Sequence, residues 1–176
     1  MLIFIVVISL VFLYERLKIF FSPEKNGEIV HKWLTVLPLS TYTFIILFAI
    51  FELILTKKYI NPLLSILGIA FIISGTILRR KSIRALGDQQ SAHIKIFPKQ
   101  RLIKNGPYKI MRHPYLLSVV CELVGFCLLL NSFFSLVLVF LIQIPILIVR
   151  GFFEEKFLCS RFGIEYNHYR NNSLFL

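Results

Sequence analysis

Residues 114–130, PYLLSVVCELVGFCLLL, and residues 133–149, FFSLVLVFLIQIPILIV, are separated only by Asn131-Ser132, and this pair decides the fold class. A bilayer core of about 30 Å needs roughly 20 mostly apolar helical residues. In lipid a backbone must satisfy its own N–H and C=O groups, so runs of this kind read as helices. The two-residue connection makes them an antiparallel hairpin. Working outward, residues 60–78, 34–56 and 1–14 carry the same apolar signature, the last running on toward Phe21. Residues 1–14 have no basic lead-in and no small-residue cleavage site after them, so they read as a span and not as a signal peptide. The expectation is an all-α polytopic membrane protein of about five spans, near 1–21, 34–56, 60–78, 114–130 and 133–149. A long loop, a C-terminal amphipathic helix and a single domain over 1–176 complete it.

Composition agrees. The chain is 57% hydrophobic and 16% charged, with 18 Phe and a mean hydropathy of +0.76. Soluble domains hold roughly 45–50% apolar and about 25% charged residues. Disorder is excluded, and an ordinary soluble enzyme would have more apolar surface than a small core buries. The net charge of +11 is explained by where the cations lie. Residues 15–33 hold four Lys/Arg, 57–61 two, 79–112 ten, 131–132 none and 150–176 four. Alternating sides puts 18 of the 20 on one face, which is the cytoplasmic one by the positive-inside rule. The amino terminus is then expected outside and the carboxy terminus in the cytoplasm of an inner membrane. Anionic lipid accounts for the charge, and no nucleic-acid partner is needed. Cys121, Cys127 and Cys159 fit neither a disulfide framework nor a metal site.

Four constellations carry polar chemistry. Asn105-Gly106-Pro107-Tyr108 reads as a turn leading into Arg112-His113-Pro114-Tyr115. Proline suits the first helical position, and the N–H groups of such a start, with His113, offer a pocket for an anionic or zwitterionic ligand. The plain alternative is a cationic helix start at the interface. Second, Arg150 and Glu154 share a helical face, with Glu155 adjacent. Two acids on so cationic a surface point to binding of a cation, against a plain interfacial ion pair. Third, Glu122 sits inside a span, where an acid is costly and faces a bundle interior or cavity. Glu52, near the outer interface, reads as a plain structural acid without a part in the chemistry. Fourth, residues 161–170 read as an amphipathic helix with aromatic anchors on the membrane surface. His168 there reads as solvated, and His31 has no evident partner.

In order, Gly-Pro-Tyr, Arg-His-Pro, an apolar hairpin, Arg-x-x-x-Glu-Glu-x-x-Leu and Phe-Gly-x-Glu-Tyr-x-x-Tyr resemble the isoprenylcysteine carboxyl methyltransferase family. These are integral membrane enzymes that use S-adenosylmethionine (SAM). The resemblance runs from Arg79 to about Tyr169. Glu122, eight residues after Pro114, is similar to bacterial members that O-methylate long-chain polyketides such as alkylpyrones and alkylresorcinols. The resemblance implies cofactor contacts at His93, Gln100, Arg101, Leu102, Ile103, Tyr108, His113, Pro114, Tyr115, Leu116 and Glu154. It thereby sets the cofactor region at 93–116 and 150–170, and it implies a substrate-side arginine at Arg150. Leu116 stands where the family has Tyr, Ser118 where Gly is common, and Gln100 where His or Gly is common.

Methyl transfer from a sulfonium is an in-line displacement, accelerated mostly by alignment. Glu154 is expected to accept from the SAM ammonium or ribose, and Arg150 to orient an acidic acceptor oxygen and favour its ionised form. Glu122 would be the base or orienter for a phenolic acceptor. SAM should come from the cytoplasm, and a lipophilic acceptor from between the spans. No metal is implied. A phospholipid N-methyltransferase, a sterol-reductase-like protein using a nicotinamide cofactor, and a non-enzymatic lipid-binding protein are the alternatives.

Overall fold

The computed structural model describes residues 14, 28–29, 32–56, 60–89, 95–96 and 101–175. Apart from Tyr14 the first expected span lies outside them, as do His31, His93 and Gln100. A two-residue strand β1 (Glu28–Ile29) pairs antiparallel with β2 (Lys95–Ile96). The body is helical: α1 Trp33–Thr56, α2 Pro62–Leu86, α3 Pro114–Leu129, α4 Phe133–Phe162 and α5 Ile164–Asn171. Among the described residues, α1, α2 and α4 are long and apolar enough to cross a bilayer, and α3 is a shorter apolar helix.

Two boundaries differ from expectation. Residues 79–86, assigned to the long loop, continue α2. Nothing from Arg79 to Leu86 breaks a helix, and the stop comes only at Gly87, whose φ of +51° a side chain would strain. The start is equally local: Asn61 Oδ1 accepts from the Leu63 N–H at 2.9 Å, and Pro62 fills the first turn. The hairpin's second arm likewise runs past Val149 to Phe162, ending at Gly163 with φ +50°. The amphipathic tail is therefore the end of α4 plus α5.

The helices alternate in direction. At one end Asn131 Oδ1 accepts from Asn61 N–H (3.0 Å), and Ser132 Oγ donates to the Ala49 carbonyl (3.1 Å). At the other, Trp33 meets Phe153 edge to face, with ring centroids 5.7 Å apart, and the turn at Gly106 lies beside Ala85. α2 and α3 touch backbone to backbone. A Cβ on Gly68 would lie 2.6 Å from the Gly125 carbonyl oxygen, and one on Gly125 2.7 Å from that of Gly68. Small residues at such a crossing are how helices associate where lipid supplies no hydrophobic drive. α1, α3 and α4 share an apolar core that includes Tyr42, Ile45, Ala49, Leu123, Phe126, Val139 and Leu147.

The buried polar groups explain themselves. Glu52, read as an interfacial acid, is 5% exposed and caps the start of α4 from α1. It accepts from the N–H groups of Phe134 (3.3 Å) and Ser135 (3.0 Å) and from Ser135 Oγ (2.9 Å). A carboxylate at a helix N-terminus meets both orphan donors and the positive end of the dipole. A π-helical turn at Val139–Gln143 adds a residue to α4 and sets Gln143 in the core. There Gln143 Oε1 accepts from Thr41 Oγ1 (2.7 Å), and Nε2 donates to the Pro38 carbonyl (3.3 Å), beside the proline within α1.

Candidate active site

The polar cluster sits at the end of the bundle where α3 begins and α4 leaves its apolar stretch. His113 immediately precedes Pro114, in the first turn of α3, and is 4% exposed. Helical spacing on α4 places Arg150 and Glu154 one turn apart, and Arg150 Nε donates to Glu154 Oε1 at 2.9 Å. Glu154 Oε2 lies 3.3 Å from His113 Nδ1. The neighbouring carboxylate, Glu155, pairs with Arg112 Nε at 2.8 Å, stands 3.6 Å from His113 Nε2 and has Arg170 at 3.9 Å. Adjacent acids on one helix thus embrace the imidazole, each backed by its own guanidinium.

Exposure separates the members. The side chains of His113, Arg112, Arg150 and Glu155 are 4–10% exposed, whereas Glu154 is 25% exposed and presents the open edge. Burial alone would lower the His113 pKa. Hydrogen bonding of the ring to the Glu154 and Glu155 carboxylates, and the charge of both, overcome that and raise it above the ordinary 6.5. Tyr108 is buried, and desolvation followed by the Glu154 charge holds its phenol protonated far into the alkaline range.

A segment that sequence reading missed completes the cluster. Residues 174–175 lie along 110–113 as a parallel bridge, Met111 opposite Leu174. Arg112 N–H donates to the Leu174 carbonyl (2.8 Å), His113 N–H to that of Phe175 (3.2 Å), and Leu174 N–H to that of Ile110 (2.9 Å). The His113 backbone donor expected to serve a ligand is therefore taken by the chain itself. The Phe175 ring stands edge-on to His113, its centroid 5.0 Å away, and 5.3 Å from that of Phe152, with the Arg112 guanidinium 5.5 Å over its face. Tyr166 and Tyr169, expected to anchor in the membrane surface, are instead buried, and Tyr169 donates its hydroxyl to the Tyr108 carbonyl at 2.6 Å. They pack inward because Gly163 turns α5 back toward the 108–112 segment. His168 stays at the exposed surface beside Asn172.

The other expected site residues are distributed. Pro114 opens α3, and the Tyr115 carbonyl accepts from Ser118 Oγ. Leu116 Cδ1 borders Gly151 beside His113. Arg101 is exposed, and its backbone exchanges two hydrogen bonds with the Gln89 side chain past the end of α2. Leu102 and Ile103 follow it, half-buried. Glu122 sits fully buried between α2 and α3, its Oε1 2.9 Å from Arg79 Nε. Arg112 and Glu155 were legible as neighbours of His113 and Glu154 in the chain; Phe175 and Arg79 carried no local signal.

Beside the cluster a groove opens between α1 and α4. It encloses about 190 Å³ and is lined by Trp33, Leu34, Leu37 and Pro38 with Pro145, Ile146 and Val149, all apolar. Its last residue directly precedes Arg150.

An uncharacterized protein of Bacillus subtilis (strain 168), YpbQ, is 34% identical over 91 residues, 51% of this chain and 54% of that protein. The chain thus spans about half the length of the curated relative it matches. The phospholipid methyltransferase family model matches residues 63–165, from the first turn of α2 to the start of α5. That family lies within the isoprenylcysteine carboxyl methyltransferase-like superfamily of membrane enzymes and generally uses SAM. With that match and its apolar helices, the chain is an integral membrane protein that belongs to the phospholipid methyltransferase family.

Proposed function

We propose that this chain is a SAM-dependent methyltransferase that transfers a methyl group to an oxygen (a carboxylate, enol or phenol) of a lipophilic acceptor such as an isoprenylcysteine or a long-chain polyketide. The observation that carries the reading is a buried His113–Glu154–Arg150 cluster with one open carboxylate edge, next to an apolar groove. The residues fit a zwitterionic donor. His113 Nε2 is buried against Glu155, 3.6 Å from its Oε1, and Glu154 presents the exposed acceptor of the cluster. SAM supplies an electrophilic methyl on a sulfonium. The chain's part is to bind, orient and keep water out. Glu154 accepts from the donor's ammonium or ribose, a charge-assisted bond worth about 1.5–3 kcal/mol. Tyr108, His113, Pro114, Tyr115 and Leu116 form the wall from the α3 side, with Arg101, Leu102 and Ile103 on the loop side; the cofactor contacts that the resemblance implies at His93 and Gln100 lie outside the described residues.

Arg150, held by Glu154 through Nε, orients the acceptor oxygen, and its positive charge favours the ionised form. The acceptor's tail lies in the groove lined by Trp33 and Val149, so each substrate stays in its own solvent. The site faces the cytoplasm, the amino terminus lies outside and the carboxy terminus within, following the cation bias of the loops. For a phenolic acceptor Glu122 would take the proton, with Arg79 as its buried partner.

The family description favours a second reading, N-methylation of a phospholipid amine. Membranes containing the protein, incubated with methyl-labelled SAM and analysed by lipid mass spectrometry, separate the two. Label on the oxygen of an oily acceptor supports the first reading, and label on a headgroup nitrogen replaces it with the second. An unlabelled lipid fraction overturns both.

A further inference from the structure

Segment 172–175 has no part in the proposed chemistry, yet Phe175 reaches back to the start of α3 and meets His113 with both backbone and ring. The Phe175 carbonyl accepts the His113 backbone N–H, and its ring packs edge-on against the His113 imidazole. The same ring lies on Phe152 of α4 and under the Arg112 guanidinium. Farther back, Arg112 Nη1 donates to the Arg170 carbonyl (3.0 Å) and Ser173 Oγ to that of Tyr169 (2.6 Å), fastening the strap to the end of α5.

Gly151 is shaped for this ring. A Cβ there would lie 2.9 Å from Phe175 Cζ, but 3.5 Å from Leu116 Cδ1 and 3.6 Å from His113 Cδ2, which are ordinary contacts. The missing side chain between Arg150 and Phe152 therefore makes room for Phe175 in particular. Three backbone hydrogen bonds hold the strap against residues 110–113.

We propose that Phe175 is a positioning residue: strapped across the start of α3, it holds His113 in line with Glu154 and walls the donor pocket, Gly151 being the notch that receives its ring. The role rests on the reading of His113 and Glu154 as the donor site. Without the ring, the imidazole loses this aromatic contact and can rotate away from the Glu154 carboxylate.

The test is a double-mutant cycle on the purified full chain in lipid nanodiscs, with Phe175→Ala, Phe175→Tyr, Gly151→Ala and the Phe175→Ala/Gly151→Ala pair. S-adenosylhomocysteine affinity is read by calorimetry, and amide exchange at Arg112 and His113 by mass spectrometry or NMR. Phe175→Ala should weaken binding roughly tenfold, the scale of a lost aromatic contact, and raise the SAM KM more than it lowers kcat. Phe175→Tyr should restore both. Gly151→Ala should be costly in the parent and nearly silent once Phe175 is Ala. Wild-type affinity in Phe175→Ala, or equal cost of Gly151→Ala in both backgrounds, overturns the proposal. Exchange at the two amides reads the strap independently of any ligand: it should be slow in the parent and fast in Phe175→Ala, and unchanged exchange also overturns the proposal. A parent that binds no S-adenosylhomocysteine removes the donor site itself, and the pocket-wall role with it.

Discussion

Arg79 on α2 and Glu122 on α3 meet at 2.9 Å with 4% and 0% of their side chains exposed, an ion pair buried in the crossing of two apolar helices. Its surroundings are tight: a Cβ on Gly75 would lie 3.0 Å from Glu122 Cγ. Breaking a buried pair by removing one partner costs about 3–5 kcal/mol, because the other charge is left behind. Arg79→Met alone and Glu122→Leu alone should each lower the thermal midpoint sharply, while the double variant recovers most of the loss. If Glu122 also serves as a base, Glu122→Gln should shift the pH profile of kcat as well as stability. An unchanged profile assigns it to the helix crossing alone.

The glycine contact between α2 and α3 makes a second prediction. Gly125→Ala puts a methyl 2.7 Å from the Gly68 carbonyl oxygen, where neither backbone can give way. Forced overpacking of this kind costs about 1–3 kcal/mol. The helices should separate and the thermal midpoint in detergent should fall. A midpoint equal to the parent's would contradict so close a crossing.

Glu52 makes a third. It supplies three acceptor contacts at the start of α4. Glu52→Ala should destabilise the chain by about 2 kcal/mol, the cost of buried donors left unmet. Because it caps the end of the bundle opposite His113, S-adenosylhomocysteine affinity of the folded fraction should not change. Calorimetry beside thermal melting checks both halves.

The fourth concerns pH. His113 is flanked by Glu154 and Glu155 of α4, with Arg112 and Arg150 behind them, and its pKa is raised above 6.5 in the folded chain. Below pH 6.5 the imidazole is protonated folded or unfolded, and its attraction to the two carboxylates is fully present. Between 6.5 and the raised value the folded chain holds the extra proton, so stability falls as pH rises through that window. His113→Gln should flatten this part of the stability–pH curve. A midpoint that rises across the window in the parent would contradict the arrangement.

Much of this was legible in the chain because lipid simplifies the rules. Apolar runs of span length must be helices, and Asn131-Ser132 is too short to be anything but a hairpin turn. Helix ends were less legible: hydropathy stops at Leu78 and Val149, but helicity stops at Gly87 and Gly163, where the backbone needs a positive φ. Charged residues such as Arg80, Lys81 and Arg84 carry a helix beyond its apolar part without leaving a hydropathy signal. His113, Arg150 and Glu154 could be nominated from motif order, and the fold brings them together. The Phe175 strap and the Arg79–Glu122 pair depend on contacts between distant segments, which no local periodicity encodes. Tyr166 and Tyr169 were misjudged for the same reason, since amphipathic spacing does not say whether an aromatic face meets lipid or protein.

The central claim is that the open edge of Glu154 takes the methyl donor. The most direct measurement is isothermal titration of the purified chain with S-adenosylhomocysteine, parent beside Glu154→Ala. Saturable heat in the parent that disappears in the variant, both melting as folded protein, is the predicted result. Equal binding in the two would contradict it.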